Sequence, residues 1–192
     1  GSSPDVEVGA CLPVDEGHPD VPVIVHHAHA PTLAGGTLAD GDFELVSIEL
    51  YDGGTYISEL VTSVEVVSNG DSFGSASTLD GRWAFQVRFD LWVQMNNSYI
   101  DDVAYELAWP LDAAGDAVAG ANLVPEMECL LGWPEGEETP AGFPYQVGVD
   151  TLQILVTLSE GGLLSFIPEE SRDLVQALIV DELPILLVFE AI

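Results

Sequence analysis

The sequence predicts a mainly β protein: a single antiparallel β-barrel of about eight strands, or alternatively a β-sandwich, with one C-terminal α-helix before the last strand. Three observations support this fold class. Apolar and polar residues alternate along several short segments, turn signals rich in Gly, Asn and Asp separate them, and only one segment has apolar residues at helical spacing. With 192 residues, 47% of them apolar, the chain can bury one substantial core.

The domain organisation predicted is an extended N-terminal arm, residues 1–35, followed by a single barrel domain, residues 36–192. The first twenty residues carry Pro, Gly and acidic residues without periodicity. Val21–His27 is β-branched, but Pro22 favours an edge strand or a lead-in segment. Cys11 and Cys129 belong to no CxxC motif, so in an exported protein we expect a disulfide that ties the arm to the domain.

Three short strands are expected next, at Phe43–Tyr51, Ser58–Val67 and Phe73–Leu79. Turn signals follow each of them, so sequential strands should pair by short connections.

The clearest strand is Arg82–Gln94, because its alternation has no interruption. Its odd-numbered residues are all apolar and should face the core, whereas most even-numbered residues should face water. The inward set is Trp83, Phe85, Val87, Phe89, Leu91 and Val93.

The partner strand predicted for it is Tyr99–Trp109, in which the apolar set taken to face inward is also odd-numbered: Tyr99, Val103, Tyr105, Leu107 and Trp109. This pairing places Phe85 opposite Trp109 and leaves a loop at Asn96–Ser98. Pro110 should end the hairpin, and residues 111–120 should form a loop.

The remaining elements complete the sheet. We expect a strand within Ala121–Leu131, an acidic loop at Gly132–Pro144 and a long strand at Tyr145–Ser159. Pro168–Leu183 has an apolar stripe at helical spacing and predicts the single helix, which Pro184 should end. The apolar run Ile185–Phe189 predicts a buried last strand.

Two features resemble the calycins, the group that contains the lipocalins. Gly41–Ser47 resembles the motif that opens the first barrel strand of that family, with Phe43 where the family usually has Trp. The order of strand, long helix and short final strand also resembles the lipocalin ending, although the last strand of this chain lacks the family's Arg. The resemblance implies a barrel that holds a small ligand.

Charge limits the classes of partner. The chain has 33 acidic residues against three arginines and no lysine, for a formal net charge of −30. Such a field repels nucleic acid and anionic membrane surfaces, and leaves cationic ligands and basic proteins as candidate partners. Solubility in a salty setting is the alternative explanation of the charge.

Catalytic motifs are absent from the sequence. It contains no GxSxG, no HExxH, no phosphate-binding Gly-rich loop and no lysine, so we expect no enzyme and no cofactor. His27 and His29 would share a strand face and, with His26, form a candidate zinc or copper site; a polar linker is the alternative.

The function predicted from these features is that of an extracytoplasmic binding protein (secreted, periplasmic or at the cell surface). Its small ligand would be partly apolar and possibly cationic, and would lie inside the barrel. An acidic interaction module with a solid barrel is the first alternative, and metal binding at the histidines is the second. The candidate ligand-binding residues are the inward aromatics and an acidic residue at the barrel mouth: Trp83, Phe85, Phe89, Tyr105, Trp109 and Asp101.

Overall fold

The computed structural model describes residues 21–26, 28–51, 61–68, 70, 72–97, 103–134, 137–159, 162, 165, 169 and 182–192. This part of the chain is mainly β, as predicted, with eleven strands and a 3-10 turn at Met127–Cys129. The strands are β1 Val23–His26, β2 Gly41–Tyr51, β3 Val61–Ser68, β4 Phe73–Leu79, β5 Arg82–Asn97, β6 Val103–Gly115, β7 Ala117–Ala119, β8 Asn122–Val124, β9 Phe143–Val147, β10 Thr151–Ser159 and β11 Glu182–Ala191.

The strands form one predominantly antiparallel sheet in the order β3-β5-β4-β2-β11-β10-β9-β8-β7. β5 is long enough to pair with β6 along one edge and with β4 and β3 in succession along the other. β1 pairs with β2 in parallel. The described strands do not close this path by hydrogen bonds.

The inward face of β5 is the predicted one, but its register against β6 is not. Trp83, Phe85 and Val87 are all at most 1% exposed. Phe85 lies opposite Ala113, four residues beyond the predicted partner, Trp109. A shift by an even number of residues keeps every inward side chain inward, so the alternation could not distinguish the two registers.

The predicted loop at Asn96–Ser98 is also wrong in part. Asn96 and Asn97 lie within β5, where they pair with Ser63 and Val61 of β3. The connection to β6 therefore lies beyond Asn97, and residues 98–102 are outside the described part of the chain.

The prediction that Pro110 ends the hairpin is wrong, because β6 continues through it to Gly115. The N–H of Asp112 points away from β5, since it donates to the carbonyl oxygen of Leu131. N–H positions two residues apart in a strand face the same edge, so the N–H that Pro110 lacks would also have pointed away from β5. The proline therefore costs no hydrogen bond in the ladder, and residues 111–115 are strand rather than loop.

Two other predicted strands are shorter than expected. The segment Tyr145–Ser159 is split by a turn at Gly148–Asp150, and Asp150 has a φ of 59°. Within Ala121–Leu131 the only strand is β8, and Cys129 lies in the 3-10 turn.

The predicted helix Pro168–Leu183 lies almost wholly outside the described residues. Its predicted end is wrong, because β11 already begins at Glu182 and contains Pro184, which pairs with Thr157. The final strand is thus longer than the predicted Ile185–Phe189, and it joins β10 to β2.

Size complementarity organises the core around β5. Trp83 lies opposite Gly115, and Phe85 lies between Ala76 of β4 and Ala113 of β6. A methyl group at Gly115 would overlap a neighbouring backbone carbonyl and come within 3.1 Å of the Trp83 ring. Small residues on the flanking strands therefore make room for the large rings of the central strand.

Cys129 is buried. The only other cysteine in the sequence, Cys11, lies outside the described residues, so the pairing of the two stays a prediction. The described part of the predicted arm contacts the domain, since Val21 donates a backbone hydrogen bond to Ser72 and Gly35 donates one to Tyr145.

None of the helical residues that the structure describes belongs to a segment long and apolar enough to span a membrane.

Candidate functional site

The predicted ligand-binding aromatics form a packed cluster. Trp83, Phe85, Phe89 and Trp109 are each no more than 2% exposed. The Trp83 and Phe85 rings stack with centroids 6.0 Å apart, and Phe89 stacks on Trp109 at 4.9 Å. The structure thus brings these four predicted residues together on the inner side of β5 and β6.

Rings from distant segments fill the space between them. Phe143 of β9 meets Phe85 edge-on at 5.4 Å and Trp83 at 6.4 Å. Trp133 contacts both Phe143 and Trp109, with centroids 6.2 Å apart in each case. The rings contact one another continuously, so side chains rather than open space occupy this part of the interior.

The indole N–H groups of the cluster have partners within the protein. Trp83 Nε1 donates to the Ala117 carbonyl oxygen at 3.2 Å, and Trp109 Nε1 donates to that of Gly132 at 2.7 Å. These two polar groups are therefore not directed at a ligand.

For two of the predicted ligand-binding residues the structure does not describe the side chain. Asp101 lies outside the described residues, and so does the side chain of Tyr105, whose backbone pairs with Val93. Their roles stay predictions.

A separate pocket of about 200 Å³ lies at the end of the sheet where β2 and β4 meet the β9–β10 turn. Its apolar lining comes from two stretches of the chain, residues 38–43 and 147–152, and each stretch also contributes one aspartate. These residues are Leu38, Phe43, Val147 and Leu152, with Asp40 and Asp150; we call this the end pocket.

Hydrogen bonds hold the two acidic segments of the end pocket. The backbone N–H of Asp80 donates to Asp40 Oδ1 at 2.8 Å. The carbonyl oxygen of Asp150 accepts a hydrogen bond from the N–H of Ala191, also at 2.8 Å. The Asp40 carboxylate is therefore positioned through its own Oδ1, whereas Asp150 is tied to β11 through its backbone.

The described residues that line the end pocket include no basic side chain. Arg88 forms an ion pair with Asp112 at 2.8 Å, on β5 and β6. The charge of Arg82 acts on Glu126, whose pKa it lowers against larger opposing effects. Neither described arginine thus belongs to the lining of the end pocket.

A second polar cluster lies on β1 and β2. His26 Nε2 lies 2.7 Å from Glu49 Oε1, and the Ser47 hydroxyl donates to Glu49 Oε2 at 3.3 Å. The His26 ring stacks on Tyr51 at 4.6 Å. Burial, and after it the Glu49 carboxylate, raises the pKa of Tyr51 above its usual value of 10.0.

This cluster does not form a hydrolase triad. The carboxylate stands between imidazole and hydroxyl, whereas a triad needs the imidazole between the other two. The arrangement connects the C-terminal end of β1 to β2.

The predicted metal site stays a prediction. His26 contacts Glu49, His29 is exposed, and His27 is outside the described residues. In the described ranges no group of three or more His, Cys, Asp or Glu side chains is arranged to hold a metal ion.

Sequence reasoning missed both the end pocket and the contact between His26 and Glu49. The pocket combines a loop near Asp40 with a turn near Asp150, and no local motif connects them. The contact depends on parallel pairing of β1 with β2, in which His26 lies opposite Tyr51. The signal available was limited to the turn residues themselves, such as Asp40-Gly41.

Comparisons with known proteins give no family assignment. No family model matches the chain, and neither a curated protein nor a solved structure matches it significantly. The resemblance to calycins is therefore neither supported nor overturned by these comparisons.

Proposed function

We propose that this chain is a non-enzymatic, extracytoplasmic interaction domain that binds a basic protein through its acidic surface. The observation that carries the proposal is the continuous packing of Trp83, Phe85, Phe143 and Trp133 in the interior. Because its own aromatic rings occupy the interior, we expect the domain to bind partners at its surface.

The charge of the chain supports a cationic partner. Carboxylates outnumber basic groups by 33 to three, and one of those basic groups, Arg88, is engaged with Asp112. Complementary charge accelerates encounter and selects against other acidic partners.

We further propose that the sheet closes into a solid barrel. The support is the connection between two edges: β6, which pairs with β5, leads through the single residue Asp116 into β7, the last strand of the path. Small barrels with interiors filled by side chains are a common solution to the exposed edges of a sheet.

The alternative of a small-ligand carrier requires a cavity bounded by the same aromatics. Stacking distances of 4.9 to 6.0 Å between the described rings of β5 and β6 argue against that arrangement. Metal binding at His26, His27 and His29 is the remaining alternative. Native mass spectrometry tests it, because a bound metal ion adds its mass to that of the protein.

Binding of a lysine-rich peptide, measured by calorimetry at low and at physiological salt, tests the proposal. We expect binding that weakens steeply with added salt, and no binding of the same peptide after acetylation of its lysines. Absence of binding at low salt would overturn the proposal.

Native mass spectrometry of the purified protein separates the alternatives. A bound mass of a few hundred daltons that is lost on denaturation would favour the carrier, and a mass of zinc or copper size would favour the histidine site. The intact mass also tests the Cys11–Cys129 disulfide, because two hydrogens are lost when it forms.

A further inference from the structure

We propose that the end pocket is the place where a lysine side chain of the partner inserts. This inference rests on the proposed function and adds to it the position of the contact and the chemistry of the group recognised.

The size of the end pocket suits a side chain rather than a whole ligand. Its volume of about 200 Å³ lies below the roughly 300–1,000 Å³ typical of small-molecule sites. A linear aliphatic chain with one polar end can occupy such a space.

The lining matches such a chain. Leu38, Phe43 and Val147 are partly exposed and offer apolar surface to a stem of methylene groups, while Leu152 is buried. Removing a lysine stem from water against this surface is favourable because the stem is itself apolar.

The two carboxylates supply the polar end of the site. Asp40 and Asp150 are exposed residues that line the same pocket, and they come from different loops. An ammonium group has three donors in a compact head, so it can contact two carboxylates at once. A guanidinium is planar and wider, and we expect it to enter less deeply.

The described lining contains no cation of its own. The sequence contains no lysine, and neither arginine that the structure describes lines the pocket. We therefore assign the complementary group of this acidic site to the partner.

The central test compares two double variants that remove the same charge. Asp40→Asn with Asp150→Asn changes the end pocket, whereas Glu65→Gln with Glu138→Gln changes exposed carboxylates elsewhere. Affinity for the lysine-rich peptide should fall at least about tenfold in the first and less than about twofold in the second. If both double variants lose the same affinity, the end pocket is not the binding site, but the proposed function is not contradicted.

A blocking variant tests the same site without changing charge. Gly41 lines the pocket, and a Cβ there would meet only the Phe43 ring, at an ordinary distance of 3.5 Å. Gly41→Val should therefore fold, which circular dichroism checks, and should weaken peptide binding about as much as the aspartate variants do. Full binding by a folded Gly41→Val variant would overturn the proposal.

The chemistry of the group is tested with the wild-type protein. A peptide with a single lysine should bind more tightly than its arginine or acetyl-lysine counterpart, and more tightly than n-butylamine. If n-butylamine binds as well as the peptide, the site recognises free amines and the assignment of a protein partner is wrong. If the lysine-rich peptide does not bind the wild type at low salt, the proposed function itself fails.

Discussion

The inner and outer sides of the sheet differ in how neighbouring side chains are matched. Inside, side chains are matched in shape: large residues face small ones in the pairs Trp83–Gly115 and Phe85–Ala113, and the Phe89 ring stacks on Trp109. Outside, at least one cross-strand pair consists of like charges: Glu44 is opposite Glu190 across β2 and β11. Matching of size lowers the free energy of the fold, whereas like charges in register raise it.

The difference indicates that the interior provides the stability and that the surface is acidic for another reason. Asp116 and Glu128 act in the same direction on Glu126, whose pKa is raised by burial and then by these two carboxylates. Repulsion between neighbouring carboxylates raises the free energy of the folded state. A surface that keeps such carboxylates is consistent with recognition of a cationic partner or with solubility.

The largest expected effect separates the two faces of β5. Trp83→Ala should lower the free energy of unfolding by about 3–5 kcal/mol, because it leaves a cavity among packed rings. Trp92→Ala, on the opposite and partly exposed face, should cost less than half as much. Urea unfolding of both variants measures this, and equal losses would contradict the contrast between the faces.

A smaller effect should follow from adding one methyl group to the interior. Gly115→Ala should cost about 1–3 kcal/mol, since the new Cβ overlaps a carbonyl and the Trp83 ring. Gly41→Ala, whose Cβ would have only ordinary contacts, is the matched control and should cost well under that amount. Thermal unfolding compares the two, and a neutral Gly115→Ala would show that size matching across β5 and β6 is loose.

Tyr51, at the boundary between interior and surface, should make the free energy of unfolding depend on pH in the alkaline range. Its raised pKa means that the neutral phenol is favoured by the fold, so its contribution is present below pH 10.0 and is lost as pH rises through the higher folded value. Tyr51→Phe keeps the ring beside His26 but should show a weaker decline of stability above pH 10. Denaturation at several alkaline pH values tests this, and identical profiles would contradict it.

The smallest effect is expected at Glu126 on the surface. Its pKa is raised above 4.5, so the group contributes stability at acid pH that is lost as pH rises through the folded value. Glu126→Gln should therefore be more stable than wild type at pH 7, by less than about 1 kcal/mol, and equal to it near pH 4. A less stable variant at pH 7 would show that this carboxylate is favourably placed.

Particular residues show how far the sequence could predict the fold. The inward face of β10, with Leu152, Ile154, Val156 and Leu158 buried, follows directly from alternation, as does that of β5. Pro110 misled the prediction because the consequence of a missing N–H depends on which edge of the strand it faces.

The candidate site was less predictable than the fold. Trp83, Phe85, Phe89 and Trp109 were correctly expected to face inward, but whether inward rings line or fill a space depends on rings from other segments. Phe143 and Trp133 reach the cluster from beyond β8, and no spacing in the sequence relates them to β5. The end pocket likewise needs segments that are adjacent only after folding.

The sequence by itself determined the β class, the side of each strong strand that is buried, and an acidic surface without lysine. These properties follow from local alternation and composition, which folding does not change. Only the tertiary structure decided the register of β5 against β6, the filling of the interior and the position of the end pocket. An alternating pattern is unchanged by an even shift, whereas the fit of distant partners is not: in the observed register Gly115 lies opposite Trp83, where a side chain would not fit.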